Sequence, residues 1–463
     1  MALEPEFSLI YPVAGYLALM AVIGGWAYTK VDNTDDLVVA GRTLGSAVVA
    51  GSLLATWMGG GSVTGGSNSI AFKHGLIPGM LLVVGSLTGI GILAMLAPKI
   101  RDFNKLTVPS ILDEGLGSEA RFIGLVVISI AYVGIVAEQL QGLGLVLQST
   151  TGLDVQTGRA IAMVFIIGLT MVGGLMSVAY TDAISAFLIV FGIPISIPFV
   201  LSAAGGWDHI TQTAPKGSLT LLGDLSTLQF LGLWLPSILL VMGDQNMYQR
   251  IVAGESDTST KKAMAAWFVG ALITGIAIPI VAFSARSMFP NIRPGNAMIS
   301  TTTVIPFWIG GILLAAATAF MITTGTSYLL SASSNISEDL YKGLINQDAP
   351  EKRVFWLTRA MILVFGLIAF VLMEFVPSIL DIQIQAYTAY GATITPALLA
   401  IFLMRKRLTK WGGISGMLVG FSTTLIWEDV LMQPFDIHAV VVSAPLAAIV
   451  IIVVSFLTND GTD

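Results

Sequence analysis

The apolar residues of this chain fall into long runs that are separated by short polar segments. A helix needs ~20 mostly apolar residues to cross a bilayer, and about thirteen runs approach that length. They lie near 8–29, 45–73, 75–100, 120–149, 157–178, 181–204, 228–249, 260–289, 303–340, 354–376, 378–404, 411–428 and 437–457. The pattern predicts an all-α integral membrane protein in which residues 1–463 form a single transmembrane domain.

The composition supports this prediction and excludes several classes of function. Hydrophobic residues make up 55% of the chain and charged residues only 11%, whereas soluble domains carry roughly a quarter charged residues. A soluble enzyme, a nucleic-acid binder and a disordered scaffold are therefore excluded. The chain has no Cys and three His, so neither a thiolate nucleophile nor a metal-ligand cluster is expected, and the protein is not expected to be an enzyme.

The positive charges predict the orientation of the chain in the plasma membrane. Of the 22 Lys and Arg residues, all but Lys73, Arg159, Lys216, Arg286 and Arg293 fall in one alternate set of loops. Cytoplasmic loops carry the excess of Lys and Arg, so the N-terminus is predicted outside and the C-terminus in the cytoplasm. In this assignment Arg250 belongs to a cytoplasmic loop, and no Lys or Arg is expected inside the membrane.

A small set of acidic and amide residues falls within the apolar runs. Ionisable groups at membrane depth are costly, which makes them candidates for function. The alternative is that each lies near a helix end and reaches water. The set comprises Glu138, Gln139, Gln141, Asp182, Asp244, Gln245, Gln383 and Gln385.

The second run contains ATWMGGGSVTGGS, residues 55–67, which predicts a broken helix. Three successive glycines, Gly59 to Gly61, do not hold a helix unaided. Transporters use discontinuous helices of this kind at the bilayer midplane to bind ions and solutes. The alternative is a glycine-rich seam for helix packing, although Ser62 and Ser67 add oxygens of the type that ligands need.

A second break is predicted at PSILLVMGDQN, residues 236–246. Pro236 removes one helical hydrogen bond, and Asp244 and Gln245 are too polar for contact with lipid. The two breaks lie in the second and seventh runs. An odd number of spans separates them, so two units repeated in this order have opposite topology, as in inverted-repeat transporters.

The ninth run carries FMITTGTS, residues 320–327. The hydroxyl groups of Thr323, Thr326 and Ser327 share one helical face by their spacing. Hydroxyl oxygens close to the free carbonyls of a broken helix would suit Na⁺, a hard cation. The alternative is that these hydroxyls bond back to their own helix.

Four further segments carry a resemblance to a known family. LVVAGRTLG (37–45), VGGLMSVAYTDAIS (172–185), GDQNMYQR (243–250) and SASSNISEDLYKG (331–343) resemble motifs of sodium:solute symporters. The resemblance implies a leucine-transporter-type core of two inverted five-helix repeats, with broken first and sixth core helices. Residues 45–204 and 228–404 would form the repeats, with an extra helix at 8–29 and two more at 411–457.

The resemblance also implies binding residues. The family's shared sodium site falls on Ala55, Met58, Phe320, Thr323 and Thr324, and a possible second sodium site on Asp182, Thr326 and Ser327. Gln385 looks equivalent to a glutamine that binds substrate in sugar-transporting relatives. ATWMGGG and GGLMSVAYTD are most similar to the choline-transporter branch, but that branch has Trp at the position of Asp244 and Asp at that of Thr326.

The predicted function is sodium-coupled symport of a small polar organic solute by alternating access. Because no Lys or Arg is expected at the midplane, a neutral or amine-bearing solute fits better than an anion. Expected partners are the solute, Na⁺ and membrane lipids, without nucleic acid, and the protein is expected to be a monomer or a weak oligomer. A channel and a solute sensor are the alternatives. The candidate solute contacts are Trp57, Ser62, Glu138, Gln141, Asp244, Gln245 and Gln385.

Overall fold

The computed structural model of the chain describes residues 6–28, 40–103, 105–375 and 378–459. Residues 37–39 of the first family motif, and the last residue of each of the predicted runs 8–29 and 354–376, lie outside the described residues.

Helices make up almost all of the described chain. In chain order they are α1 (Ile10–Tyr28), α2 (Ser46–Trp57), α3 (Gly60–Val63), α4 (Gly66–Lys73), α5 (Leu76–Phe103), α6 (Val108–Leu116), α7 (Ser118–Thr151), α8 (Val155–Ala203), α9 (Trp207–Thr213), α10 (Thr227–Gly243), α11 (Gln245–Ala253), α12 (Asp257–Met288), α13 (Ala297–Thr301), α14 (Phe307–Ser334), α15 (Glu351–Leu372), α16 (Ile379–Leu403), α17 (Lys410–Leu425) and α18 (Val440–Leu457).

Among the described residues, 11 helices are long and apolar enough to cross a membrane, or 12 if the bent pair Ser46–Trp57 and Gly61–Lys73 counts as one span. The predicted runs 157–178 and 181–204 both lie in α8, which is kinked at Gly174 with a φ of 52°. Helix α17 has 16 residues and continues into a π-helical turn, Ile426–Val430. The count of thirteen spans stays a prediction.

Three helices form the centre of the bundle. In the most apolar stretches of Ser118–Thr151, Phe307–Ile345 and Ile379–Leu403, 72%, 78% and 78% of the residues are buried. The corresponding shares for Phe7–Trp26 and Glu351–Leu372 are only 28%. The central helices therefore bury their polar side chains inside protein, while the outer ones present apolar side chains to the surroundings, as lipid contact requires.

The glycine-rich segment of the second run interrupts its helix. Helix α2 ends at Trp57, and Met58 leaves the helical conformation with a ψ of 68°. The chain resumes as α3 and then α4, and the two arms are bent by 57°. A β-carbon on Gly59 would lie only 2.7 Å from the hydroxyl oxygen of Thr324. Any side chain at position 59 would therefore collide with Thr324 and push the interrupted segment away from α14.

The second interruption lies at Asp244, between α10 and α11. Asp244 has a ψ of 120°, outside the helical range, and its side chain accepts a hydrogen bond from the backbone N–H of Asn246. Pro236 stays inside α10. The break therefore falls at the polar end of the predicted segment rather than at its proline, because the Asp244 side chain caps the next helix.

Candidate functional site

Two neighbouring threonines of α14 reach the end of α2. The Thr323 hydroxyl lies 2.8 Å from the carbonyl oxygen of Ala55 and 3.2 Å from that of Phe320. The Thr324 hydroxyl lies 3.0 Å from the carbonyl oxygen of Thr56. Oxygens are the ligands that hard cations prefer, and the structure brings together four of the five residues predicted for the shared sodium site.

Met58, the fifth of these residues, occupies the turn directly after α2. Its backbone N–H donates to the carbonyl of Leu54 at 3.0 Å and closes the last helical turn. Its non-helical ψ of 68° directs its carbonyl out of the helical ladder. The Thr323 hydroxyl also lies 2.8 Å from the carbonyl of Ala319, so the alternative of back-bonding to its own helix is partly realised as well.

A cavity opens beside the first interruption. Trp57 and Ser62, two of the predicted solute contacts, lie on its wall, together with Ser237 of α10 and Tyr387 of α16. The rings of Trp57 and Tyr387 have centroids 6.2 Å apart. The cavity therefore combines two aromatic rings with several hydroxyl groups, a lining typical of sites for small polar ligands.

Gln383, rather than Gln385, is the glutamine of α16 on this cavity. The Gln383 side-chain oxygen accepts the backbone N–H of Gly66 at 2.9 Å, in the first turn of α4. Residues two apart on a helix point ~200° apart, so Gln385 is directed away and is not part of the lining. The structure replaces Gln385 with Gln383 as the cavity glutamine. The spacing in the sequence could have indicated Gln383, because Gln383 and Tyr387 are four residues apart and share one face of α16.

Glu138 lies on α7 directly behind the cavity wall. It is fully buried, and neither of its carboxyl oxygens has a hydrogen-bond partner among the described residues. A β-carbon on Gly61 would lie 2.6 Å from Glu138 Oε1, so the carboxyl group faces the interruption. Burial of a charged group without a partner is costly, so this carboxyl group is either protonated or bound to a ligand. Gln141, one turn further along α7, also has an unpartnered buried oxygen but does not line the cavity.

Asp244 is enclosed by tyrosines rather than by the cavity. Its Oδ1 accepts the hydroxyl of Tyr132 at 2.7 Å and the backbone N–H of Asn246 at 2.7 Å. Its Oδ2 accepts the hydroxyl of Tyr328. The hydroxyl of Tyr390 donates to the last carbonyl of α10 at 2.7 Å. The Asp244 carboxylate and the last carbonyl of α10 therefore both have protein partners at the second break.

Gln245 is likewise occupied by protein. Its side-chain oxygen accepts the backbone N–H of Val108 at 3.1 Å, and its nitrogen donates to Asn335 at 2.7 Å. Neither Asp244 nor Gln245 lies on the cavity wall, and the expectation that they contact solute stays a prediction. The second break ends against α6 and α14 instead.

Asp182 is fully buried within α8 and is held by a buried arginine. Its Oδ2 accepts hydrogen bonds from Ser52 at 2.6 Å, from Thr56 at 3.0 Å and from Arg250 at 3.1 Å. The same guanidinium nitrogen donates to the Ser327 hydroxyl at 2.7 Å. The expectation that Arg250 lies in a loop is therefore wrong, because α11 extends inside the bundle up to Ala253.

The second sodium site, predicted at Asp182, Thr326 and Ser327, stays a prediction, and the hydroxyls of Thr326 and Ser327 have different partners. Thr326 directs its hydroxyl to the carbonyls of Ile322 and Thr323, in its own helix, at 2.9 and 3.1 Å. Asp182 and Ser327 are linked through Arg250, whose Nη2 donates a hydrogen bond to each of them.

A sequence profile of the sodium:solute symporter family matches residues 37–420. The chain belongs to this family. It is 29% identical to the high-affinity proline transporter PutP of Bacillus subtilis, over 90% of this chain and 91% of that one. It is 26% identical to the human high affinity choline transporter 1, over 91% of this chain and 76% of that one. Overall identity therefore does not single out the choline branch.

Solved structures establish the fold. A Na⁺-coupled sialic acid symporter in a substrate-bound outward-open state has a TM-score of 0.83 at 17% identity, over 99% of this chain and 98% of that one. The nucleobase-cation-symport-1 transporter Mhp1 in a closed conformation has a TM-score of 0.62 at 11% identity, over 91% and 93%. The all-α, leucine-transporter-type fold is confirmed, and the protein is a multi-pass plasma-membrane transporter rather than an enzyme.

Proposed function

We propose that this transporter couples the entry of Na⁺ to the uptake of a small polar organic solute, neutral or amine-bearing, by alternating access. The observation that carries the proposal is the shared use of one interruption. Ala55 provides a carbonyl to the threonine hydroxyls, and Trp57 and Gly61, a few residues later, line the cavity. A sodium ion that fixes the end of α2 would also fix the cavity wall, which couples the two ligands.

The chemistry around the cavity favours a solute that carries nitrogen. Glu138 has no counter-charge and no hydrogen-bond partner among the described residues, and Trp57 and Tyr387 offer ring faces of the kind that attract cations. The relatives named as proline and choline transporters handle solutes with a positively charged nitrogen. Glu138 would therefore act as the counter-ion of the solute's amine.

The cavity lies on the side of the interruption towards α4, whose end at Lys73 is on the face poor in Lys and Arg. We propose that this face is external, with the N-terminus outside and the C-terminus in the cytoplasm. A monomer or weak oligomer surrounded by lipid is expected. The absence of native Cys allows a direct check: a cysteine introduced at exposed Ser118 should react with a membrane-impermeant maleimide only after the cells are opened.

The primary experiment is a thermal-shift comparison of the purified protein with proline, choline and glucose, each in NaCl and in KCl. Ligands that bind the folded state raise its stability, by about 2.7 kcal/mol at a hundred times the dissociation constant. We expect proline or choline to raise the melting temperature in NaCl and not in KCl. Equal shifts in the two salts would contradict sodium coupling.

Glu138→Gln tests the role of the carboxyl group. The substitution keeps the shape and removes the charge, so we expect the dissociation constant of the stabilising solute to rise about tenfold or more, equivalent to ~1.4 kcal/mol. The dissociation constant of Na⁺ should change little. Unchanged solute affinity would restrict Glu138 to a structural role, leaving a neutral solute.

Channel and sensor functions make different predictions. A symporter reconstituted in liposomes should exchange labelled for unlabelled solute against the gradient, which neither a pore nor a sensor does. Sodium-driven accumulation of the solute without such exchange would contradict alternating access.

A further inference from the structure

Arg250 is a fully buried cation, and each of its three guanidinium nitrogens donates at least one hydrogen bond. Its Nε donates to the Ser52 hydroxyl at 2.7 Å and its Nη1 to the carbonyl of Asn246 at 3.1 Å. Its Nη2 donates to Asp182 at 3.1 Å and to Ser327 at 2.7 Å. The guanidinium group thus joins α11 to α2, α8 and α14 at a single point.

The Arg250 guanidinium group binds residues of α2 and α14 that lie about one turn from the proposed sodium ligands on those two helices. Thr56 follows Ala55 on α2, and its hydroxyl lies 3.1 Å from that of Ser327. Ser327 in turn lies one turn beyond Thr323 and Thr324 on α14. We call Arg250, Asp182, Ser52, Thr56 and Ser327 the Arg250 cluster. It adjoins the proposed sodium site, because its hydroxyl oxygens belong to the same two helices, α2 and α14.

The oxygens of this cluster would suit a cation even without Arg250. Asp182 supplies a carboxylate, and Ser52, Thr56 and Ser327 supply hydroxyls, which are ligands of the type that Na⁺ accepts. One positive charge already sits among them, and it is tethered to the chain. A sodium ion added here would share a single carboxylate with the guanidinium group, and the repulsion of two buried like charges opposes this.

We infer that Arg250 fills the second cation position of this transporter, so that the chain binds one sodium ion in each transport cycle. The inference rests on the proposed function, because it takes the site formed by Ala55 and Thr323 as the sodium site. In this arrangement the guanidinium group is the permanent counter-ion of the buried Asp182 carboxylate.

The test uses Na⁺ alone and needs no knowledge of the solute. Radioactive sodium bound to the purified, immobilised wild-type chain is counted at saturation. One ion per chain is expected, with a simple hyperbolic isotherm. Two ions per chain would overturn the inference and leave sodium coupling intact, whereas no bound ion would overturn both the inference and the proposed sodium site.

Two variants locate the position. Arg250→Gln removes the tethered charge and leaves Asp182 free, so the count should rise from one ion to two. Arg250→Gln combined with Asp182→Asn should bring it back to one. A count of one in the single variant would contradict the assignment. If Arg250→Gln alone fails to fold, the double variant decides, because it leaves no unpaired buried charge: sodium affinity within about threefold of wild type, or ~0.7 kcal/mol, is expected, and a loss of tenfold or more overturns the inference.

Discussion

At the first interruption, between Trp57 and Gly66, the freed polar groups face places where a ligand can enter. The carbonyl of Ala55 accepts from the hydroxyls of Thr323 and Thr324, and the N–H of Gly66 donates to the side chain of Gln383 on the cavity wall. Around Asp244, at the second interruption, tyrosine hydroxyls satisfy the carboxylate and the last carbonyl of α10. The polar groups freed at the first break thus lie beside the cavity and the proposed sodium site, whereas those named at the second break are bound by buried tyrosines.

The difference follows from the residues that surround each break. Glycine provides no side chain, so the polar side chains that meet the first break come from other helices: Thr323 and Thr324 from α14 and Gln383 from α16. The second break supplies its own carboxylate, and stacked rings enclose it: the centroids of Tyr132 and Tyr390 are 5.5 Å apart. We interpret the first break as a ligand site and the second as a structural contact that stabilises the packing of α7, α14 and α16 around Asp244.

Tyr328→Phe should have the largest effect, on stability. The Tyr328 hydroxyl donates to the buried carboxylate of Asp244, and a hydrogen bond to a charged group contributes about 1.5–3 kcal/mol. We expect the free energy of unfolding to fall by about 2 kcal/mol, as measured by denaturation in detergent. Sodium affinity should remain unchanged, because no sodium ligand is touched.

Tyr248→Phe is the matched control for that change. Its hydroxyl donates to the neutral carbonyl of Met242 at 2.7 Å, for which a loss of about 1 kcal/mol is expected. If Tyr248→Phe lowered the free energy of unfolding by as much as Tyr328→Phe or more, the hydrogen bond to Asp244 would not be the main stabilising contact at the second break.

Thr324→Val and Thr323→Ala probe the first break. Each removes a hydroxyl that reaches the end of α2, so we expect the dissociation constant of Na⁺ to rise about tenfold or more, equivalent to ~1.4 kcal/mol. Sodium titrations of tryptophan fluorescence provide the measurement. Thr318→Val is the control on the same helix, because its hydroxyl bonds only to the carbonyl of Leu314 at 2.8 Å. Normal sodium affinity in both test variants would place the ion elsewhere.

Gln383→Ala and Gln385→Ala form a pair that locates the solute. Gln383 lies on the cavity wall, and loss of one neutral hydrogen bond to the solute is worth about 1 kcal/mol, or about a fivefold weaker affinity. Gln385→Ala should leave affinity unchanged. The thermal shift with the stabilising solute distinguishes the two, and the reverse result would restore the assignment made from the family motif.

The sequence predicted the fold and allowed candidate residues to be named at the first break, because both depend on local composition. Long apolar runs, three glycines and a spaced set of hydroxyls are visible without knowing which helices meet. The candidate sodium residues could be named because Ala55 and Met58 belong to one motif and Phe320, Thr323 and Thr324 to another. Their convergence was an implication of the resemblance, and the structure brings Ala55 and the threonines within hydrogen-bond distance.

The sequence could not predict contacts that depend on the depth and rotation of a helix. Arg250 was assigned to a loop because positive charge usually lies there, whereas its partner Asp182 is 68 residues away in the chain. The tyrosines around Asp244 come from three different helices, α7, α14 and α16. Gln385 was selected by its motif, although rotation of α16 brings Gln383 to the cavity. Pairings of this kind become visible only when the helices are packed.

Thr326→Val should have the smallest effect and separates the two ways in which α14 uses its hydroxyls. The Thr326 hydroxyl bonds to the carbonyls of Ile322 and Thr323 in its own helix, so its loss removes no contact with α2, α8 or Arg250. Valine has nearly the same shape and is tolerated in a helix with a single preferred rotamer. We expect the dissociation constant of Na⁺ to stay within about twofold of wild type, a change below ~0.5 kcal/mol, in the same fluorescence titration as Thr324→Val. A tenfold loss would show that Thr326 turns towards an ion when sodium binds, and the second sodium site predicted from the sequence would then replace the tethered cation.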